Sequence, residues 1–369
     1  MSPTLRPRAA LAALTAAIAL GFSVSTPALA ADPATAMAKT GTRYKADADM
    51  QAVLDELASL GGKPIETLTP EEARKQPTPT DAVMSLLRKQ GKDTTPTVLV
   101  PGVTSVDREI DGAAGKIPAR VYTPAGAGPF PVVVYFHGGG WVIASKEVYD
   151  GGARGLSKQA NAVVVSVDYR LAPEARFPAA HDDALAAYRW ALANAASING
   201  NPRLVALAGE SAGGNLAVAT AIAARDANLQ KPTHVLAVYP VGQTGNLNTA
   251  SYVDSATAKP LNKPMIEWFV DKTISKPADK TDPRLDLANA NLRGLPPVTI
   301  LNAQIDPLRE DGAILQAALR KAGVKVDRKV YDGVTHEFFG MAAVVKDAAS
   351  AQAAGGKALR ASFGFQAQP

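Results

Sequence analysis

From Val98 onward, short unbroken apolar runs alternate with helix-like patterns, and this alternation limits the chain to a small set of architectures. The runs lie near Thr104–Ile110, Ile117–Tyr122, Val132–Phe136, Ala162–Val167, Leu204–Ala208, Val235–Tyr239, Val298–Leu301 and Val326–Tyr331. Several have no polar alternation, as expected of strands covered on both faces. Between them, helical periodicity runs over Lys146–Gln159, Ala180–Ala196, Gly214–Arg225, Leu308–Lys321 and Ala343–Arg360. Strands separated by helices require crossover connections. The pattern predicts an α/β fold: a mostly parallel eight-stranded sheet flanked by helices. The first two strands are joined by Asp111-Gly112-Ala113-Ala114-Gly115, a hairpin-like turn.

Additions to this core are expected at two places. Met50, Val53, Leu54, Leu57 and Leu60 are spaced as a helix that Gly61-Gly62 ends. Thr69-Pro70-Glu71-Glu72 reads as a helix start with Thr69 as its cap, and a further helix is expected over Asp81–Gln90. A long insertion, about 242–295, separates the sixth and seventh strands and carries a short helix at Pro264–Phe269. Insertions there overlie the carboxyl ends of the strands, where ligands bind. The resulting division is 1–30 leader, 31–98 linker and cap helices, and 99–369 catalytic domain.

Arg6 and Arg8 followed by the apolar stretch Ala9–Phe22 and by Ala28-Leu29-Ala30 have the form of a signal peptide, with cleavage expected near Ala30-Ala31. That stretch is short for a membrane span, so no stable membrane insertion is expected. The chain is expected to be exported, periplasmic or secreted. It has no cysteine, which excludes disulfides, thiolate catalysis and cysteine-ligated zinc. Its net charge of +5 carries no long basic run, so nucleic acid is not an expected partner.

Gly209-Glu210-Ser211-Ala212-Gly213 joins an apolar strand to an apolar helix. In that context the glycines permit a tight turn. It lifts the serine hydroxyl above the sheet at a helix N-terminus, where developing negative charge is favoured. His137-Gly138-Gly139-Gly140-Trp141 directly follows another strand. Its glycines allow backbone N–H groups to face a cavity and stabilise an oxyanion, and the N–H of Ala212 would complete the set.

With these blocks the chain resembles the hormone-sensitive lipase-like esterases, bacterial family IV of the α/β-hydrolase superfamily. The match also includes Asp168-Tyr169-Arg170-Leu171-Ala172-Pro173-Glu174 with Phe177-Pro178-Ala179, and Asp306-Pro307-Leu308-Arg309 with His336. The resemblance implies that Gly139, Gly140 and Ala212 donate to the oxyanion, that Gly138 shapes the turn, and that the N-terminal helices and part of the insertion form a helical cap. Two positions depart from the family pattern: Glu210 before the serine, and the order Arg309-Glu310-Asp311.

A serine nucleophile needs a base, and there are four histidines. His137 belongs to the glycine loop, His181 opens a helix where a solvent-facing or capping role is expected, and His234 begins a strand. His336 follows the last strand in a loop and is the expected base. The acid should lie between Ser211 and His336 in the chain. Asp306 sits at a strand end and fits better than Glu310 or Asp311 on the next helix, or Asp282 and Asp286 in the insertion. Arg170 and Glu174 are expected to be buried structural groups. Trp141, Tyr239, Trp268 and Phe269 are candidates to line the substrate pocket.

The expected function is hydrolysis of a small-molecule ester of short to medium acyl chain through an acyl-enzyme on Ser211, without cofactor or metal. An amidase or peptidase with the same three residues, or a non-catalytic ligand binder on this scaffold, are the alternatives. Oligomeric state is open at this level.

Overall fold

The computed structural model describes residues 43–365; the leader expectation at 1–30 and most of the 31–45 linker lie outside them. The chain opens with helices α1 (Ala48–Ser59), α2 (Pro70–Ala73), α3 (Pro79–Lys89) and α4 (Pro96–Leu99). Thr69 and Thr78 both close capping boxes, with Glu72 and Asp81 respectively, and a proline occupies the first position of each helix. The side-chain oxygens take up amide donors that the first turn would leave unsatisfied.

Among the described residues, eight strands form one sheet: β1 (Val103–Gly112), β2 (Gly115–Pro124), β3 (Phe130–Phe136), β4 (Val163–Val167), β5 (Gly200–Glu210), β6 (Val235–Val238), β7 (Val298–Ile305) and β8 (Val326–Thr335). Their order is β1-β2-β4-β3-β5-β6-β7-β8. β1 and β2 form an antiparallel hairpin, β2 pairs antiparallel with β4, and the pairs from β4 to β8 are parallel. Between the strands run α5 (Asp150–Ala160), α6 (Ala179–Asn194), α7 (Ala212–Asp226), α10 (Arg309–Lys321) and, after β8, α11 (Lys346–Ser362).

Alternate residues of β3 enter two different cores. Val132, Val134 and Phe136 pack with α6, α7 and α10, while Val133 and Tyr135 pack with α5 and α11. Every residue of β3, β4 and β6 is buried, which is why these strands read as unbroken apolar runs. Each fully buried valine contributes about 1.5–3 kcal/mol. α1 and α3 add Met50, Val53, Val83 and Leu87 to the α5–α11 side.

Two element expectations need correction. The helix expected from Lys146 begins at Asp150, because Asp168 accepts both the Lys146 backbone N–H (2.6 Å) and its ammonium (3.0 Å) and holds that stretch as a loop. The insertion carries two α-helices rather than one, α8 (Ala250–Asp254) and α9 (Lys263–Thr273). The side chain of Asn262 caps α9 by accepting from the Met265 N–H at 2.9 Å.

Candidate active site

Ser211 stands where β5 ends and α7 begins, with φ +58° and ψ −119°, a region that costs a non-glycine residue of order 1–3 kcal/mol. The surrounding structure over-determines this backbone. Ser211 N–H donates to Val238 O (2.9 Å), and its carbonyl accepts from Val241 N–H (3.2 Å). The turn also lies against β3 so closely that a Cβ on Gly213 would come within 2.0 Å of Phe136 O. No side chain fits there.

His336 follows the end of β8 and is 3% exposed. Its Nε2 lies 3.0 Å from Ser211 Oγ and its Nδ1 lies 2.7 Å from Asp306 Oδ2. Asp306 follows the end of β7 and is fully buried, and its other oxygen accepts the Leu308 N–H at 2.8 Å. An ionised carboxylate only accepts, so Nδ1 carries the proton and Nε2 is left to accept from the serine. Burial works against a charged imidazole here, but the charge and hydrogen bond of Asp306 outweigh it, with Glu337 and Glu210 adding to them. The net result raises the pKa of His336.

The structure therefore brings Ser211, His336 and Asp306 into one hydrogen-bonded line. The other acids lie elsewhere. Asp311 is buried but accepts from the backbone N–H groups of Gly242 (3.1 Å) and Gln243 (3.4 Å), anchoring the start of the insertion. Glu310 accepts from Ser251 N–H, Asp282 pairs with Arg284, and Asp286 accepts from Asn289.

Gly139 and Gly140 have φ of +91° and +58°, and both line the cavity that Ser211 and His336 face. The Gly140 Cα packs against the ring of Phe269, where a Cβ would collide at 2.3 Å, and Thr273 Oγ1 donates to Gly140 O. The end of α9 thus backs the glycine loop. Ala212 opens α7, whose first N–H groups have no partner within the helix.

The cavity has a volume of about 370 Å³. α1 contributes Leu54 and Leu57 to its wall, and α9 contributes Met265, Ile266 and Phe269. Trp141 and Phe269, two of the four aromatic candidates, are in the wall. The other two are corrected. Tyr239 is fully buried beneath the site, its ring 4.5 Å from His336 and its hydroxyl bonded to Glu210. Trp268 turns away and donates from Nε1 to Leu68 O at 3.2 Å. Of the neighbours Trp268 and Phe269 on α9, only Phe269 lines the cavity.

Two histidine expectations and one glutamate expectation also meet the structure. His137 stacks on Tyr169 (ring centroids 4.4 Å apart) in the glycine loop. His181 is buried rather than solvent-facing, because it bonds Asn215 Oδ1 (3.0 Å) and packs against Phe177 and Trp141. Burial pushes its pKa down to about 4. Glu174 is exposed rather than buried, and forms a two-pronged ion pair with Arg74. Arg170 pairs with the buried Asp183.

Three residues have contacts that sequence reasoning did not assign. Arg74, between α2 and α3, also donates to Val142 O (2.8 Å) and Ala172 O (2.9 Å), tying the N-terminal segment to the glycine loop. No local pattern marks it. Glu210 receives the hydroxyls of both Tyr135 and Tyr239. Burial pushes its pKa up to about 7 against the effect of those two bonds. Glu337 lines the cavity and had one available signal, its place directly after His336.

A profile described as alpha/beta hydrolase fold matches residues 133–340. The chain is 39% identical over 273 residues to "Carboxylesterase NlhH" of Mycobacterium tuberculosis, covering 72% of this chain and 85% of that one. It is 34% identical over 238 residues to "Ethyl acetate hydrolase" of Pseudomonas putida, covering 63% and 74%. Among solved structures, a hyperthermophilic esterase from the archaeon Pyrobaculum calidifontis superposes with a TM-score of 0.77 at 32% identity, over 88% of this chain and all of that one.

Proposed function

The chain belongs to the α/β-hydrolase family, in its hormone-sensitive lipase-like branch, and from that premise we propose that it is a serine carboxylesterase acting on short- to medium-chain acyl esters. The observation that carries the proposal is the Ser211–His336–Asp306 hydrogen-bonded line opening on a 370 Å³ cavity beside a glycine loop. Ser211 Oγ attacks the acyl carbonyl while His336 Nε2 takes its proton, and Asp306 stabilises the imidazolium that forms. The N–H groups of Gly139, Gly140 and Ala212 receive the negative charge on the carbonyl oxygen. His336 then protonates the leaving alcohol, and water repeats the sequence to free the acid. The named relatives are esterases, and no observation favours the amidase or ligand-binder alternatives.

The test is a p-nitrophenyl ester series from acetate to palmitate. Turnover is expected to peak at short to medium chains, as the cavity volume supports. A maximum at palmitate would overturn the chain-length assignment, and no turnover on any member would overturn the esterase assignment.

We further infer that the protein is exported, from Arg6, Arg8, the apolar run Ala9–Phe22 and Ala28-Leu29-Ala30. Among the described residues no helix is long and apolar enough to cross a membrane. N-terminal sequencing of protein from the periplasm or medium should begin near Ala31; an intact Met1 on protein retained in the cytoplasm would refute export.

A further inference from the structure

Glu337 is built into the site at a cost. It adopts φ +65° and ψ +8°, the left-handed region that glycine occupies freely and a glutamate rarely does. Such outliers persist where the surrounding structure imposes them, and they concentrate at functional sites. Here the backbone turns immediately after His336, and Tyr149 donates to Glu337 Oε1 at 3.0 Å. Tyr149 itself fills the space beside Gly138, where a Cβ would meet its hydroxyl at 2.2 Å. The carboxyl is thus fixed between the glycine loop and the base. Oε2 has no hydrogen-bond partner among the described residues.

The α/β core contributes only three ionisable or hydroxyl-bearing side chains to the cavity wall, Ser211, His336 and Glu337; its other wall residues are glycines, aliphatic side chains and Trp141. The first two do the chemistry. The remaining charged wall residues come from the cap. Arg74 is committed to Val142 O, Ala172 O and Glu174, Lys63 and Lys259 are exposed to solvent, and Glu66 is a half-buried acid on the N-terminal segment. Exposed charges are screened, whereas a partly buried charge in an apolar cavity is screened much less. Among the wall residues, Glu337 is therefore the acid that the core sets directly beside the base, with one carboxylate oxygen held by Tyr149.

We propose that Glu337 is a specificity-determining residue that makes the cavity favour esters bearing a positive charge or a hydrogen-bond donor near the scissile bond, and disfavour anionic ones. This rests on the serine esterase reading above. The partner chemistry is an ammonium or hydroxyl that approaches Oε2 while the ester lies between Ser211 and the glycine loop.

The experiment compares charged esters with neutral isosteres at pH 8: butyrylcholine against 3,3-dimethylbutyl butyrate, and mono-p-nitrophenyl succinate against p-nitrophenyl butyrate. The readout is the ratio of kcat/KM within each pair, so any general change in activity divides out. In Glu337→Gln the cationic-to-neutral ratio should fall about tenfold and the anionic-to-neutral ratio should rise by a similar factor. Glu337→Gly, which suits the left-handed backbone, should shift both ratios the same way and serves if the glutamine variant folds poorly. Ratios within twofold of wild type in both variants overturn the proposal. So does loss of neutral-ester turnover in both folded variants, which would make Glu337 necessary to the chemistry itself. If the wild type fails on the neutral esters, it is the esterase reading that falls.

Discussion

Ser211→Ala is expected to lower kcat on p-nitrophenyl butyrate by about 10⁶-fold, with an unchanged thermal melt. In the proposed mechanism Oγ bonds to the acyl carbon, and it lies 3.0 Å from His336 Nε2. Without it, the imidazole has no nucleophile to activate, and only the oxyanion donors and the cavity still act on the ester. His336→Ala should cost about as much, and the double variant little more than either, because residues acting as one unit lose their effect together. The fold should tolerate the change. The strained backbone at 211 is held by Val238 and Val241 rather than by the serine side chain. A Ser211→Ala protein that keeps a tenth of the wild-type rate would remove Ser211 from the chemistry.

Asp306→Asn is the second large expected effect, about 10⁴-fold in kcat. The variant side chain keeps the shape but can present an N–H to His336 Nδ1, which favours the tautomer with Nε2 protonated and unable to accept from Ser211. It also changes the pH profile. The pKa of His336 is raised, since Asp306 outweighs the effect of burial. Only the neutral ring accepts a proton, so wild-type kcat/KM should fall as pH drops through that raised value. Removing the Asp306 charge leaves burial less opposed, and the acid limb of the variant should move to lower pH. The same sign governs stability. The His336–Asp306 pair stabilises the fold fully below the unfolded histidine pKa of about 6.5, and that contribution is lost as pH rises through the folded value. The melting temperature of wild type minus that of the variant should therefore shrink from pH 6 toward pH 9. An acid limb that stays in place would show that another group holds the base.

The local character of the motifs explains what could be read without coordinates. Eight apolar runs, a serine in a strand–turn–helix junction and a triple-glycine loop are all patterns within a dozen residues. Each is dictated by near-neighbour physics: burial on both sheet faces, the steric limits of a tight turn, and backbone freedom without a Cβ. Chain order and elimination were enough to select His336 and Asp306 as candidates.

Only the tertiary structure decided which side chains share a wall. Tyr239 is an aromatic at a strand end, yet it lies under the site because buried Glu210 accepts from its hydroxyl. Trp268 and Phe269 are neighbours on one helix, and a rotation of about 100° between them sends one to Leu68 and the other to the cavity. His181 is buried because Asn215, 34 positions away, meets its ring. Arg74 reaches across 100 positions to Glu174. The sequence by itself determined the α/β architecture and singled out Ser211, His336 and Asp306 as candidates, because those follow from local pattern and chemical type. The walls of the cavity, the clasp of the cap and the charge beside the base follow from contacts between segments far apart in the chain, and these exist only once the sheet and its helices have packed.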